Sequence, residues 1–226
     1  MTKTQDQRPK TNDVVAILLA AGHSRRMGAF KPLLPFGKTT VIGSCVDNLR
    51  AGGVQDIIVV AGHRASDLKA SLVELEEIHF VLNPDPQSEM SASIACGVRT
   101  LPATARAVLI ALADQPAIPP GIISSLINQW RAGAKLIIPQ FKERGGHPVL
   151  VDLEFRDQLL TLDPQRGLKA LFDAHRDQVQ RLKVDSSYIA RDLDTWDDYA
   201  ALHEEVFGAP PISLDPDQIR PVEPTN

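Results

Sequence analysis

The chain has 226 residues, with 24 Lys and Arg against 28 Asp and Glu for a formal charge of −4, and is 43% apolar and 23% charged. That mildly acidic balance gives no overall reason to bind DNA or RNA, and no apolar run approaches the roughly 20 residues that span a bilayer. The polar N-terminus, MTKTQDQRPKTND, has no apolar stretch of the kind a secretory signal carries, and two cysteines, Cys45 and Cys96, cannot build a disulfide framework or a Cys-only zinc site.

In chain order, Val14–Ala20 is a continuous Val/Ile/Leu-rich run, as expected of a strand covered on both faces. A glycine-containing loop follows. The segment 40–50 reads as a helix with Val41, Cys45, Val46 and Leu49 on one face and Gly52-Gly53 as its stop. Ile57–Ala61 is a second buried strand, 66–77 a helix and Ile78–Leu82 a third strand. Residues 91–101 read as a helix, 107–113 as a fourth strand ending at Asp114. Pro119-Pro120 opens a helix to about Trp130, and 136–139 is a fifth strand. Residues 147–151 form a strand whose Pro148 suggests an edge or antiparallel position. A short helix at 167–174, a strand at 179–184 and an amphipathic helix at 195–206 complete the pattern.

This β-α-β-α alternation predicts an α/β, Rossmann-like three-layer sandwich with a mostly parallel, doubly wound sheet. Residues 13–207 are expected to form a single domain. Residues 1–12 and the Pro-rich 208–226 read as disordered tails. Both cysteines sit in apolar-periodic stretches and are expected in the core. A cytoplasmic protein without nucleic-acid or membrane partners is the expectation.

In an open parallel sheet, ligands bind beyond the C-terminal strand ends. After the first strand come Ala20, Ala21, Gly22, Ser24, Arg25, Arg26, Gly28 and Lys31. Glycines, backbone amides and cations at a strand end suit a polyphosphate. The dinucleotide fingerprint G-x-G-x-x-G fails, since Ser24 stands where its second glycine is needed. Gly37-Lys38-Thr39 imitates the end of a P-loop, but Pro32 replaces its first glycine. It reads as a turn, with a P-loop kinase as the weaker enzyme alternative.

After the fourth strand, Asp114-Gln115-Pro116 places a carboxylate where it can hold Mg²⁺ or cap the next helix. After the third, Asn83 and Ser93 can read a nucleoside, while Ser91 reads as a helix cap. Asp192 and Asp194 alternate, so an extended segment puts both on one face. Thr195 with Asp198 fits a capping pattern. Gly146 and His147 lie in a polar loop. The histidines show no zinc-ligand spacing.

Together these motifs resemble the molybdenum cofactor nucleotidylyltransferase family. The resemblance covers nearly all of 14–206. It rests on Leu19-Ala20-Ala21-Gly22-x-Ser24-x-Arg26-Met27-Gly28-x-x-Lys31, Asp114-Gln115-Pro116, Gly146-His147-Pro148 and Asp192-Leu193-Asp194-Thr195. It implies Mg²⁺-dependent transfer of a nucleotidyl group from an NTP to a phosphorylated acceptor such as molybdopterin, releasing pyrophosphate. By position, it implies that Leu19, Ala20, Ala21, Gly22, Ser24 and Arg25 hold the nucleotide and that Arg26 and Lys31 contact phosphates. Asp114 would bind Mg²⁺, with Asp194 ahead of Asp192 as the second carboxylate. Asn83 and Ser93 would contact the nucleoside, and Gly146 and His147 the acceptor.

Ala-Ala-Gly resembles the cytidylyltransferases and Ala-Gly-Gly the guanylyltransferases, so Ala21 points to CTP. Alternatives are a GTP-using or sugar- or polyol-phosphate transferase of the same fold, and a non-catalytic molybdenum cofactor carrier. Such an enzyme could hand its product to a molybdoenzyme.

Overall fold

Strand Val14–Ala20 (β1) is buried along its whole length, and its two faces divide the molecule. Val14, Ala16, Leu18 and Ala20 enter one apolar cluster, while Val15, Ile17 and Leu19 enter another on the opposite face. A strand apolar on both sides must be covered on both sides, and the helices do this. The computed structural model describes residues 13–22, 27–62, 64–73, 77–85 and 88–211. The N-terminal tail, Ser24, Arg25, Arg26 and the tail beyond 211 lie outside the described residues.

After β1 come a short hairpin, Pro35–Phe36 (β2) and Thr39–Thr40 (β3), and helix Val41–Ala51 (α1). Then follow Ile57–Ala61 (β4), Ala65–Ser71 (α2), Ile78–Leu82 (β5), Met90–Arg99 (α3) and Ala107–Leu112 (β6). Pro120–Arg131 (α4), Leu136–Phe141 (β7), Arg144–Gly145 (β8) and Val149–Asp152 (β9) come next. Arg156–Leu160 (α5), Leu168–Ala174 (α6), Val179–Lys183 (β10) and Trp196–Phe207 (α7) complete the order among the described residues.

The main sheet has the order β10-β7-β9-β6-β1-β4-β5, with β8 paired to β7. The β1, β4, β5 and β6 pairings are parallel, as is β10 with β7. Strand β9 runs antiparallel to both β6 and β7. It is therefore antiparallel as expected but interior, not at an edge. Pro148 precedes the first ladder residue, Val149, so its missing N–H costs the sheet nothing.

Ile42, Cys45, Val46 and Leu49 of α1, Leu68 of α2 and Ile123 and Leu126 of α4 cover one face. Ile94 and Val98 of α3, Leu159 of α5 and Leu168 and Leu171 of α6 cover the other. The result is a three-layer α/β sandwich. Thr40 caps α1 by accepting the Gly43 N–H at 3.1 Å. The capping box of Thr195 and Asp198 opens α7. Glu89, not Ser91, precedes α3, and Ser91 is buried in its first turn. Helix α2 ends at Ser71, earlier than the periodicity suggests. No helix among the described residues is long and apolar enough to cross a membrane.

Cys45 is buried and Cys96 half-buried. Burial and the nearby Asp114 charge push the Cys45 thiol far above its usual range, which removes the reactive thiolate. The native protein is expected to react with a disulfide reagent at Cys96 only, and Cys45 only after denaturation. Native labelling of Cys45, read by peptide mass, would contradict its placement.

Candidate functional site

The parallel strands β1, β4, β5 and β6 release the chain at the same sheet edge. Their exits, at Ala20–Gly22, Gly62, Asn83 and Ala113-Asp114, surround a cavity of about 310 Å³. Leu19, Lys31, Pro32, Asp85, Ser88, Met90, Ser93, Leu112 and Asp192 complete its wall. Gly62 allows two of these exits to approach, since a Cβ there would stand 3.0 Å from the Ala21 carbonyl oxygen.

One end of the cavity is acidic. Asp114 leaves β6 well before the helix that begins at Pro120, which is too far for capping. Burial and the neighbouring Asp192 charge push its carboxyl up to about 6, against the opposing pull of Lys31. The turn beneath it is pinned by α1. The Pro116 carbonyl accepts from Ser44 Oγ at 2.9 Å and Asn48 Nδ2 at 2.8 Å.

The segment Asp192-Leu193-Asp194 docks beside this turn at three points. Gln115 Nε2 donates to Asp192 Oδ1 at 2.7 Å. The Leu193 N–H donates to the Asp114 carbonyl at 3.3 Å, with the Leu193 side chain buried. Lys31 Nζ donates to Asp194 Oδ1 at 2.8 Å. Helix α7 steadies the approach to Lys31, because Trp196 Nε1 donates to the Met27 carbonyl at 3.0 Å and Tyr199 Oη to the Pro35 carbonyl at 2.5 Å.

The other end is polar, with Asp85 as its one carboxylate among the described lining residues. Asn83 is buried, and its Nδ2 donates to Ser88 Oγ at 2.8 Å and Ser93 Oγ at 2.9 Å. Its Oδ1 accepts the Asp85 N–H at 3.2 Å. Asn83 thus shapes the loop that closes the cavity, with both ends of its amide engaged inside the protein.

The structure therefore gathers Leu19, Ala20, Ala21, Gly22, Lys31, Asn83, Ser93, Asp114 and Asp192 around one cavity. Asp194 joins through Lys31. Gly146 and His147 are not among the residues that line this cavity. The Gly146 Cα packs on Ile189, whose carbonyl oxygen would meet an added Cβ at 1.9 Å. The His147 N–H donates to that same carbonyl at 2.8 Å. His147 Nε2 is sealed from solvent without a hydrogen-bond partner among the described residues. Burial holds its imidazole below the usual range, with the Asp192 charge pulling the other way.

Gly37 and Lys38 form the β2–β3 turn, where the Gly37 Cα faces the Phe207 ring. They do not line the cavity, which removes the basis for a P-loop. Sequence reasoning missed Ser44, Asn48 and Gly62. Ser44 and Asn48 lie four apart on α1, a spacing that places both on one helix face, but no local pattern tells what that face meets.

The donor set decides which metal fits. Carboxylate oxygens suit a hard divalent cation that takes its remaining ligands from phosphates and water. Among the described residues no three His, Cys, Asp or Glu side chains form a ready-made metal cage. The carboxylates of Asp114 and Asp192 instead repel each other, a cost that a cation between them would relieve. The residues present fit a hard divalent cation as a partial ligand set.

A family model described as the MobA-like NTP transferase domain matches residues 16–179. The chain belongs to the MobA-like NTP transferase family. It is a nucleotidyltransferase. The Escherichia coli molybdenum cofactor cytidylyltransferase is 25% identical over 83% of this chain and 94% of its own length. The nicotine blue oxidoreductase of Paenarthrobacter nicotinovorans is 27% identical over 80% of this chain and 92% of its own. Among solved structures, Rv0371c from Mycobacterium tuberculosis superposes with a TM-score of 0.76 at 29% identity, covering 85% of this chain and 97% of that one. The same protein is also known in complex with manganese. Nucleotidyltransferases of the MobA-like family commonly use a divalent metal.

Proposed function

We propose that this MobA-like transferase moves CMP from CTP to a phosphorylated acceptor, molybdopterin, with Mg²⁺ as its metal and pyrophosphate as the second product. The observation that carries the reading is a single cavity lined by Asp114, Asp192 and Lys31 together with Ala20–Gly22, Asn83 and Ser93. Acid and cation at one end suit phosphates. The Asn83 amide and the Ser93 hydroxyl at the β5 side, with Asp85 beside them, suit a base and ribose. The relative named as a molybdenum cofactor cytidylyltransferase, aligned along most of both chains, supports the acceptor.

An oxygen of the acceptor phosphate attacks the α-phosphorus in line. That oxygen is already anionic, so the protein needs no nucleophile, and catalysis reduces to positioning and charge neutralisation. Lys31, with Arg26 five positions before it in sequence, takes the charge of the departing pyrophosphate. Asp194 orients the Lys31 ammonium. Asp114 and Asp192 would hold a divalent cation, which would supply Lewis-acid polarisation of the phosphate when bound. Asp192 takes this role ahead of Asp194 because it lines the cavity and acts more strongly on Asp114. Gly146 and His147 serve the acceptor side.

Ala21 favours the smaller base, since its Cβ crowds a purine. In calorimetry with Mg²⁺, CTP is expected to bind about tenfold more tightly than GTP, the discrimination one apolar carbon can supply. Ala21→Gly is expected to narrow that gap. Wild-type protein that binds GTP as tightly as CTP would overturn the base assignment.

A further inference from the structure

Gln115 is one of the few polar side chains buried among the described residues, at 5% exposure. Its orientation is forced. The Asp192 carboxylate oxygen 2.7 Å away can only accept, so the amide nitrogen must face it. The other end, Oε1, is sealed from solvent without a partner among the described residues. A buried amide with an unpaired acceptor is a poor device for holding a fold together, because that acceptor has lost its water.

Nor does the surrounding turn depend on it. Backbone and α1 contacts pin the turn independently, through the Leu193 N–H on the Asp114 carbonyl and through Ser44 and Asn48 on the Pro116 carbonyl. What the amide does hold is Asp192, an exposed side chain in a segment without regular structure. Asp114 repels that carboxylate. Without an anchor, Asp192 would turn toward solvent.

We propose that Gln115 is a positioning residue, whose amide keeps the Asp192 carboxylate beside Asp114 in the arrangement a divalent cation needs. The proposal rests on the metal reading above. The partner of a metal ligand commonly changes metal affinity by about ten- to a hundredfold when removed.

The test uses the full chain, Mn²⁺ as the probe and a CTP analogue with a methylene bridge between the α- and β-phosphorus. Bound Mn²⁺ is read by electron paramagnetic resonance. Gln115→Met keeps length and volume but loses the donor. It is expected to weaken Mn²⁺ binding about tenfold without lowering the melting temperature. Gln115→Asn, which keeps an amide too short to reach, is expected to weaken it likewise. In an Asp192→Ala background Gln115→Met is expected to cause no further loss, as for two residues acting through one contact.

Wild-type Mn²⁺ affinity in both Gln115 variants would overturn the proposal, as would additive losses in the double variant. Failure of both variants to fold would assign the amide to the fold and overturn it too. A wild-type chain that binds no Mn²⁺ with the analogue would overturn the metal reading itself, and this proposal with it.

Discussion

Asp114→Asn is expected to abolish metal-dependent turnover while making the metal-free protein more stable at neutral pH. The first effect follows from its place at the exit of β6, facing the Asp192 carboxylate and the Lys31 ammonium. The second follows from its surroundings. Burial and the Asp192 charge push the Asp114 carboxyl up to about 6, against about 3.9 in an unfolded chain. The folded state therefore binds this proton more tightly than the unfolded state, so ionising Asp114 costs stability as pH rises between about 4 and 6.

Above that window the cost is complete, on the order of 2 kcal/mol after allowing for partial solvation. A neutral amide avoids it. In the absence of divalent cations, the variant's melting temperature is expected to be about 4–8 °C higher at pH 8 for a domain of this size. The difference is expected to vanish below about pH 4, where Asp114 is protonated in the folded and unfolded chain alike. Retained turnover would move the metal site elsewhere. A variant less stable than wild type at pH 8 would contradict the electrostatic account.

Lys31→Ala is expected to lower kcat more than tenfold, with a smaller change in KM. Lys31 is only 8% exposed and its ammonium lies 2.8 Å from Asp194. A cation held in a sheltered site is worth most where charge develops, on the leaving pyrophosphate. An interaction stronger in the transition state than in the ground state lowers kcat when it is lost. Steady-state kinetics at saturating nucleotide measure this, and an Lys31→Ala enzyme with wild-type kcat would end the assignment.

These expectations rest on residues that differ in how well the sequence reveals them. The buried strands β1, β4 and β6 are legible because continuous Val/Ile/Leu runs have few other solutions in an α/β chain, and β5, a half-buried strand at the sheet edge, follows from the same alternation. The exits of those strands then indicate the site, which is why Ala20–Gly22, Asn83 and Asp114 are recognisable before any coordinates. The place of β9 is not legible. Pro148 marks a restriction, but only the pairing of Val149 with Ile110 shows that it falls before the ladder.

The short elements Leu153–Phe155 and Arg156–Leu160 also escape sequence reading, since neither is long enough for a clear helical period. Alternation places Asp192 and Asp194 on one face but cannot tell which meets Asp114. That depends on Gln115 and Lys31, which come from distant parts of the chain. Ser44 and Asn48 are illegible for the same reason, because their partner is the Pro116 carbonyl.

Pyrophosphate release is the most direct measurement of the central claim. Purified protein with Mg²⁺ and molybdopterin would be given CTP, GTP, ATP or UTP in turn. Release is expected with CTP, with one CMP joined to acceptor for each pyrophosphate formed and none from Asp114→Asn. Release with GTP in place of CTP would keep the chemistry and overturn the base. No release with any of the four, from protein that binds CTP and Mg²⁺, would contradict transfer to this acceptor and leave the site as one that binds without turning over.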